Sequence, residues 1–148
     1  MHEVSLVRLY VLRATFLLII LGMGPNIWTL ILQSSGNVEH MRGVVWSVLG
    51  AVSLLAVLGL RYPLKMLPLL FVELTWKTIW ILAIGLPLWS AGRLDEATRE
   101  TWNACLMGIV VFGVAIPWRY VWTRYVSEPG DRWSRGVLPV PPAEQVRT

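Results

Sequence analysis

A glutamate and a lysine lie four residues apart inside a long apolar stretch of this chain. On a helix, Glu73 and Lys77 would share one face with Trp76 and Trp80. Glu placed before Lys at this spacing is the favourable order for an ion pair within a helix. Indole rings beside the ammonium group would add cation–π contacts in a dry setting. The spacing therefore predicts a polar cluster with a paired charge at its centre.

The depth of this cluster makes partners necessary. At 1.5 Å per residue, a helix that begins near Leu67 would place Lys77 about 15 Å and Glu73 about 9 Å from its start. A charge at the bilayer centre costs at least about 2.5 kcal/mol on insertion scales, so it is expected to face protein rather than lipid. The simplest partner of each residue is the other. Arg13, about one turn inside the first apolar segment, is a second candidate partner for Glu73.

Two interpretations of the cluster remain open. In the first, the pair is an interhelical clasp that fixes how the helices pack, which is common for paired charges in membrane proteins. In the second, the pair and its indole walls line a small cavity, where Glu73 binds a proton or an organic cation and Lys77 sets the affinity. A clasp requires a dry, paired site, whereas a carrier requires a path for water.

Other residue types that could do chemistry form no catalytic pattern. Cys105, the single cysteine, lies near Ala104 and Gly108 and is expected to be a small packing residue. His2 and His40 lie outside the predicted helices, so they do not suggest a haem held within the membrane. The chain has no phosphate-binding loop, zinc-binding helix motif, nucleophile elbow or two-cysteine redox motif. We therefore predict no enzymatic activity, no cofactor and no metal site.

Composition indicates that membrane helices position the cluster. Of the 148 residues, 55% are hydrophobic and only 15% are charged, which is too apolar for a soluble domain of this size. The net charge is +4, but the basic residues flank apolar segments instead of forming a dense stripe. The expected partner is therefore a lipid bilayer with anionic headgroups, and not a nucleic acid. A second copy of the chain or a membrane complex would be a further partner.

The apolar runs predict an all-α fold, an integral membrane four-helix bundle. Its domain, residues 1–125, would contain membrane helices at about 9–32, 43–60, 67–89 and 102–121. Residues 126–148 are rich in proline and poor in apolar side chains, and they are expected to form a disordered cytoplasmic tail.

Small and polar residues within these segments predict how the helices pack. Gly43, Ser47 and Ala51 recur every fourth residue, which would let another helix approach closely along that face. Interhelical hydrogen bonds are expected from Asn26, Ser53 and Asn103.

The distribution of basic residues predicts the orientation of the four crossings. One side would hold nine of them: Arg8, Arg13, Arg61, Lys65, Arg119, Arg124, Arg132, Arg135 and Arg147. The opposite side would hold three: Arg42, Arg93 and Arg99. Because basic residues in short flanking segments stay in the cytoplasm, both termini are expected to be cytoplasmic.

The stretch GAVSLLAVLGLRYPLKMLPLLFVEL combines a helix rich in small residues, a short basic hairpin with proline, and a second helix. This layout resembles the DoxX-like group of small bacterial four-helix membrane proteins. The resemblance implies a bacterial inner-membrane location and, for some members, association with redox enzymes. No functional residue is carried over, because the Glu73 and Lys77 pair has no counterpart in that group's pattern.

These observations lead to two expected functions. The first is a structural or accessory membrane protein, as a subunit of a membrane complex. The alternative is a small transporter or channel-like carrier that uses the Glu73 and Lys77 pair. A four-helix layout alone does not decide between them.

Overall fold

The computed structural model of the chain describes residues 4–34, 36 and 38–130, and all regular elements in this part are helical. The α-helices are α1 (Leu6–Gln33), α2 (His40–Arg61), α3 (Leu67–Trp80), α4 (Leu86–Ser90), α5 (Glu96–Ala115) and α6 (Trp118–Val121). Two π-helical segments, Ile81–Gly85 and Trp122–Ser127, follow α3 and α6.

Side-chain caps start three of the helices, α1, α2 and α5. The hydroxyl oxygen of Ser5 accepts a hydrogen bond from the backbone N–H of Arg8 at the start of α1. Glu39 caps α2 with both carboxylate oxygens. Asp95 caps α5 by accepting a hydrogen bond of 2.8 Å from the backbone N–H of Thr98. Each cap satisfies N–H groups that have no partner within the helix.

The third apolar segment continues from α3 through a π-helical turn into α4. The turn precedes Pro87, whose ring would collide with the carbonyl four residues earlier in a regular α-helix. In the wider turn, the N–H of Leu86 donates to the carbonyl of Ile81. The helix therefore passes the proline without ending, and Leu67–Ser90 forms one apolar helix of 24 residues.

The fourth segment differs from its prediction of a single helix over 102–121. Helix α5 begins and ends earlier, and the next residue, Ile116, is extended with ψ of 125°. The cause is Pro117, because a proline ring disfavours helical backbone in the residue before it. The chain then resumes as α6 at an angle of 69° to α5. The predicted tail, 126–148, begins within the second π-helical segment, and from residue 131 onward it lies outside the described residues.

The long helices pack as two pairs. Contacts are most extensive between α1 and α2 and between α3 and α5, and contacts of α1 with α5 and of α2 with α3 join the pairs. The shared apolar core consists of Leu12, Phe16, Ile19, Val52, Ala56, Leu67, Leu69, Leu70, Phe112 and Ile116. This core holds α3 and α5 side by side, which places the predicted cluster between two helices.

Helix α2 packs through a different small face from the predicted one. In the predicted seam, Gly43 is half-buried while Ser47 and Ala51 are exposed. The buried small residues are Gly50, Ser53, Ala56 and Gly59. A Cβ atom on Gly59 would lie 2.4 Å from the ring of Phe16, so this glycine allows the ring to pack against the backbone of α2. Both faces of α2 carry small residues, and the position of Phe16 on α1 selects one of them.

The three polar residues expected to form interhelical hydrogen bonds lie in different surroundings. Ser53 makes the predicted interhelical hydrogen bond, in which the indole Nε1 of Trp28 donates to its Oγ at 3.0 Å. Asn26 and Asn103 lie on the exposed surface instead.

The outer surface of the described residues is rich in large apolar side chains. Exposed examples are Leu17, Leu18, Leu21, Leu54, Leu55, Leu58, Ile79, Leu82, Met107, Val110 and Val114. Three helices, α1, α2 and Leu67–Ser90, are long and apolar enough to cross a membrane. The bent pair Glu96–Ala115 and Trp118–Ser127 passes the same test if it forms one span. The architecture is consistent with a multi-pass membrane protein, in which lipid covers these side chains.

Candidate functional site

The charged pair lies in the interior of the packed helices. Glu73 is 1% and Lys77 is 9% exposed, and the Nζ of Lys77 donates a hydrogen bond to the Oε2 of Glu73. The pair spans one turn of α3, so the helix itself sets the spacing of the two charges. Because both groups are removed from solvent, the ion pair is weakly screened and each charge depends on the other.

Aromatic rings surround the ammonium group of Lys77. Its Nζ lies 4.2 Å from the ring centroid of Trp76 and 5.0 Å from that of Phe112 on α5. The two rings therefore supply cation–π contacts from both helices. The ring of Trp76 is a predicted neighbour, whereas Phe112 is an addition that the tertiary structure makes.

Gly108 on α5 provides the space for the lysine side chain. A Cβ atom at this position would lie 2.6 Å from Cε and 2.7 Å from Cδ of Lys77. The aliphatic stem of Lys77 thus lies against the backbone of α5 in a gap that a larger residue would fill. The sequence shows Gly108 only as a member of a small-residue face near Cys105, without a link to the charged pair.

Two residues predicted for the cluster lie elsewhere. Trp80 packs beside Gly85, where the ring of Trp102 is also in contact, and it is not among the rings over Lys77. The Nε of Arg13 donates to the carbonyl of Leu60 at 3.1 Å. That carbonyl belongs to the last turn of α2, where the helix supplies no partner, so it attracts a cationic donor. The expected contact of Arg13 with Glu73 is therefore replaced by a cap of α2.

The hydrogen-bonding capacity of the cluster is only partly used. Within the described part of the chain, the Oε1 of Glu73 and the Nε1 of Trp76 are buried without a hydrogen-bond partner. Buried polar atoms normally have partners, because an unpaired one costs about 1–3 kcal/mol. An acceptor and a donor thus remain on the same turn of α3. The carboxylate oxygen is the atom that would accept a proton, and the acceptor and donor together are the atoms that a small polar ligand would use.

The neighbouring Cys105 is also buried, with 1% of its surface exposed. It lies one turn before Gly108 on α5 and faces the interior, as expected for a small packing residue. In the described part of the chain, His, Cys, Asp and Glu residues form no cluster of three that could hold a metal ion.

Two clefts lie at one end of the molecule, which we call the hairpin end: residues 4–8, 61–66 and 116–124. The larger cleft, about 700 Å³, lies between the start of α1 and the segment after Pro117. The smaller, about 220 Å³, lies between α1 and the α2–α3 link, with Arg13 and Lys65 in its wall. Neither cleft is lined by Glu73 or Lys77. The pair is thus enclosed by protein side chains and not by the walls of these clefts.

A scan against protein-family models and searches of curated proteins and of solved structures found no match to this chain. The resemblance to the DoxX-like group therefore stays a prediction.

Proposed function

We propose that this chain is a four-span membrane protein with a structural or accessory role, in which the Glu73–Lys77 pair clasps α3 to α5. The observation that carries the proposal is the enclosure of the pair. Lys77 is salt-bridged to Glu73, lies under Trp76 and Phe112, and fits the gap at Gly108. Such an arrangement favours one rotation of α3 relative to α5, because the lysine stem fits against the backbone of α5 at Gly108.

The energetics favour a structural role. Removing one member of a buried ion pair costs about 3–5 kcal/mol, because it leaves an uncompensated charge. Replacing both members with apolar or neutral side chains is often neutral. The clasp therefore contributes register more than net stability, which suits a protein whose outer surface carries many large apolar side chains.

The same proposal includes location and partners. We place both termini in the cytoplasm on the basis of the nine-to-three distribution of basic residues. The layout that resembles DoxX-like proteins supports a bacterial inner membrane. The exposed apolar surface supports lipid as the main neighbour, and a second copy or a membrane complex as the assembly in which an accessory subunit acts.

A double-mutant cycle tests the clasp. Glu73→Gln and Lys77→Met should each lower the free energy of unfolding in detergent by about 3–5 kcal/mol, and the double variant should recover much of the loss. Glu100→Gln and Lys65→Met are matched controls, because both residues are exposed, and they should leave stability nearly unchanged. Single variants as stable as the wild type would contradict the clasp.

The alternative function is a small carrier, and one observation favours it. The unpartnered Oε1 of Glu73 could accept a proton, and together with the N–H donor of Trp76 it could hold a small polar ligand. A carrier reconstituted in vesicles should transport protons or an organic cation, and the stable double variant should lose that transport. Equal flux of protons and of the organic cation in wild-type, double-variant and protein-free vesicles would contradict the carrier hypothesis.

A further inference from the structure

The break between α5 and α6 leaves backbone carbonyls that need new partners. Pro117 has no N–H, so the carbonyl of Gly113 loses the hydrogen bond that a continuous helix would provide. The indole Nε1 of Trp118 donates to this carbonyl at 2.7 Å. The Nη2 of Arg8 donates to the carbonyl of Ile116 at 3.0 Å. The start of α1 is thereby tied to the end of α5.

These hydrogen bonds hold two side chains at the edge of the larger cleft. Its wall includes Ser5, Arg8, Trp118, Arg119, Trp122 and Thr123. Arg8 uses Nη2 for the carbonyls of the break, so its Nε and Nη1 groups are not used by them. The guanidinium group is therefore fixed in position while it retains donors for a ligand.

The chemistry of the wall suits a phosphate group. Two guanidinium groups, from Arg8 and Arg119, can offer paired N–H donors to phosphate oxygens, and the hydroxyl of Ser5 can donate a further hydrogen bond. The described residues that line the cleft include no Asp or Glu to compete for the arginines. The cleft volume of about 700 Å³ is large enough for a phospholipid headgroup.

The surroundings of the cleft favour a lipid over a soluble phosphate. Trp118 and Trp122 are exposed, as is typical of indoles at the level of the headgroups. Leu6 and Val7 at the start of α1 and Val114 at the end of α5 are also exposed, next to the arginine that lines the cleft. These apolar side chains offer a surface for acyl chains directly beside the basic wall.

We propose that this cleft binds the phosphate of an anionic phospholipid headgroup, with Arg8 and Arg119 as the phosphate ligands. The site is separate from the Glu73–Lys77 pair and goes beyond the structural role proposed above. It requires only that the chain is inserted in a membrane, so failure of the double-mutant cycle would leave it intact.

The test measures lipid selectivity of the full-length protein in vesicles that contain spin-labelled phosphatidylglycerol or phosphatidylcholine. The wild type should immobilise phosphatidylglycerol preferentially, and Arg119→Gln should reduce that preference about fivefold, as expected for one basic residue near the surface. Arg119→Lys should retain part of the preference, because lysine keeps the positive charge but lacks the paired N–H donors of the guanidinium group. The melting temperature of Arg119→Gln should match the wild type, since this side chain is exposed.

Arg124→Gln is the matched control. Arg124 lies in the same segment but is paired with Glu128 and does not line the cleft, so its loss should change the preference little. An equal decrease in Arg124→Gln would show a diffuse charge effect and overturn the site. Displacement of the labelled lipid by millimolar inorganic phosphate or glycerol phosphate would assign the cleft to a soluble phosphate and overturn the lipid proposal.

Discussion

Lys77 crosses from α3 to the backbone of α5 because Gly108 has no side chain. The ammonium group is held at its far end by Glu73 and by the rings of Trp76 and Phe112. With its end fixed, the stem cannot move away freely from a new methyl group at position 108. Gly108, which has no side chain, therefore determines whether the charged pair fits between α3 and α5.

We expect Gly108→Ala to destabilise the protein relative to Gly113→Ala, by about 1–3 kcal/mol as for overpacking in a core. Gly113 lies on the same helix, and a Cβ atom there meets no atom within 4 Å. Gly113→Ala therefore measures only the stabilisation that comes from the higher helix propensity of alanine. Chemical denaturation in detergent measures both. In a Lys77→Ala background the Gly108→Ala penalty should shrink. An undiminished penalty would show that the lysine stem is not the obstacle.

The ends of the helices follow local rules, and α5 shows this most clearly. Asp95 accepts hydrogen bonds from Thr98, and they lower the pKa of its carboxyl below the usual value of 3.8. The charged form thus binds the helix start more strongly than the protonated form does. A lowered pKa means that the stabilising contribution is present above the usual value and is lost as the pH falls through the value in the folded protein.

We predict that Asp95→Asn removes this pH dependence while it keeps a cap, because Asn caps helices well without titrating. The melting temperatures of the wild type and Asp95→Asn should therefore agree at neutral pH. They should differ only below about pH 4, where protonation of Asp95 weakens the cap of the wild type. Asp95→Ala should be less stable than both at pH 7. If the acid dependence of Asp95→Asn equals that of the wild type, another carboxyl is responsible.

In the proposed four-span arrangement, the bend between α5 and α6 affects the fourth span. The first turns of α5 are polar, and its apolar part, 104–116, would be about 20 Å long, shorter than a hydrocarbon core of about 30 Å. The segment after Pro117 therefore has to lie near the membrane surface or complete the span. If this segment lies near the membrane surface, the bend would bring Trp118, Trp122 and the larger cleft to the level of the headgroups.

Reporter fusions test the orientation of the whole chain. Fusions at Gly36 and Asp95 should report the outside, and fusions after Arg61 and at the C-terminus should report the cytoplasm. The reason is that nine of the twelve flanking basic residues lie on the side predicted to be cytoplasmic. Removing basic residues from the α2–α3 link provides a control: Arg61→Glu combined with Lys65→Glu should weaken the preference of this link for the cytoplasm. A cytoplasmic signal from the Asp95 fusion would contradict the proposed topology.

The sequence by itself determined the properties that depend on neighbours along the chain. Apolar runs indicated helices near the observed α1, α2 and Leu67–Ser90, and the spacing of Glu73 and Lys77 placed them within reach of each other on one helix. These properties are local, because helix periodicity fixes the separation of residues three and four apart. The break before Pro117 was also open to local reasoning, since proline restricts the residue before it.

Only the tertiary structure decided which faces meet. Small residues lie on more than one face of α2, and the contact with Phe16 selected Gly59 over the predicted seam. Arg13 had the right depth for Glu73, but the carbonyl of Leu60 is its partner. Phe112 and Gly108 complete the site from another helix, at positions that no spacing rule connects to Lys77. Rotation and pairing of helices depend on the fit of all side chains at once, and this information is not contained in any single segment.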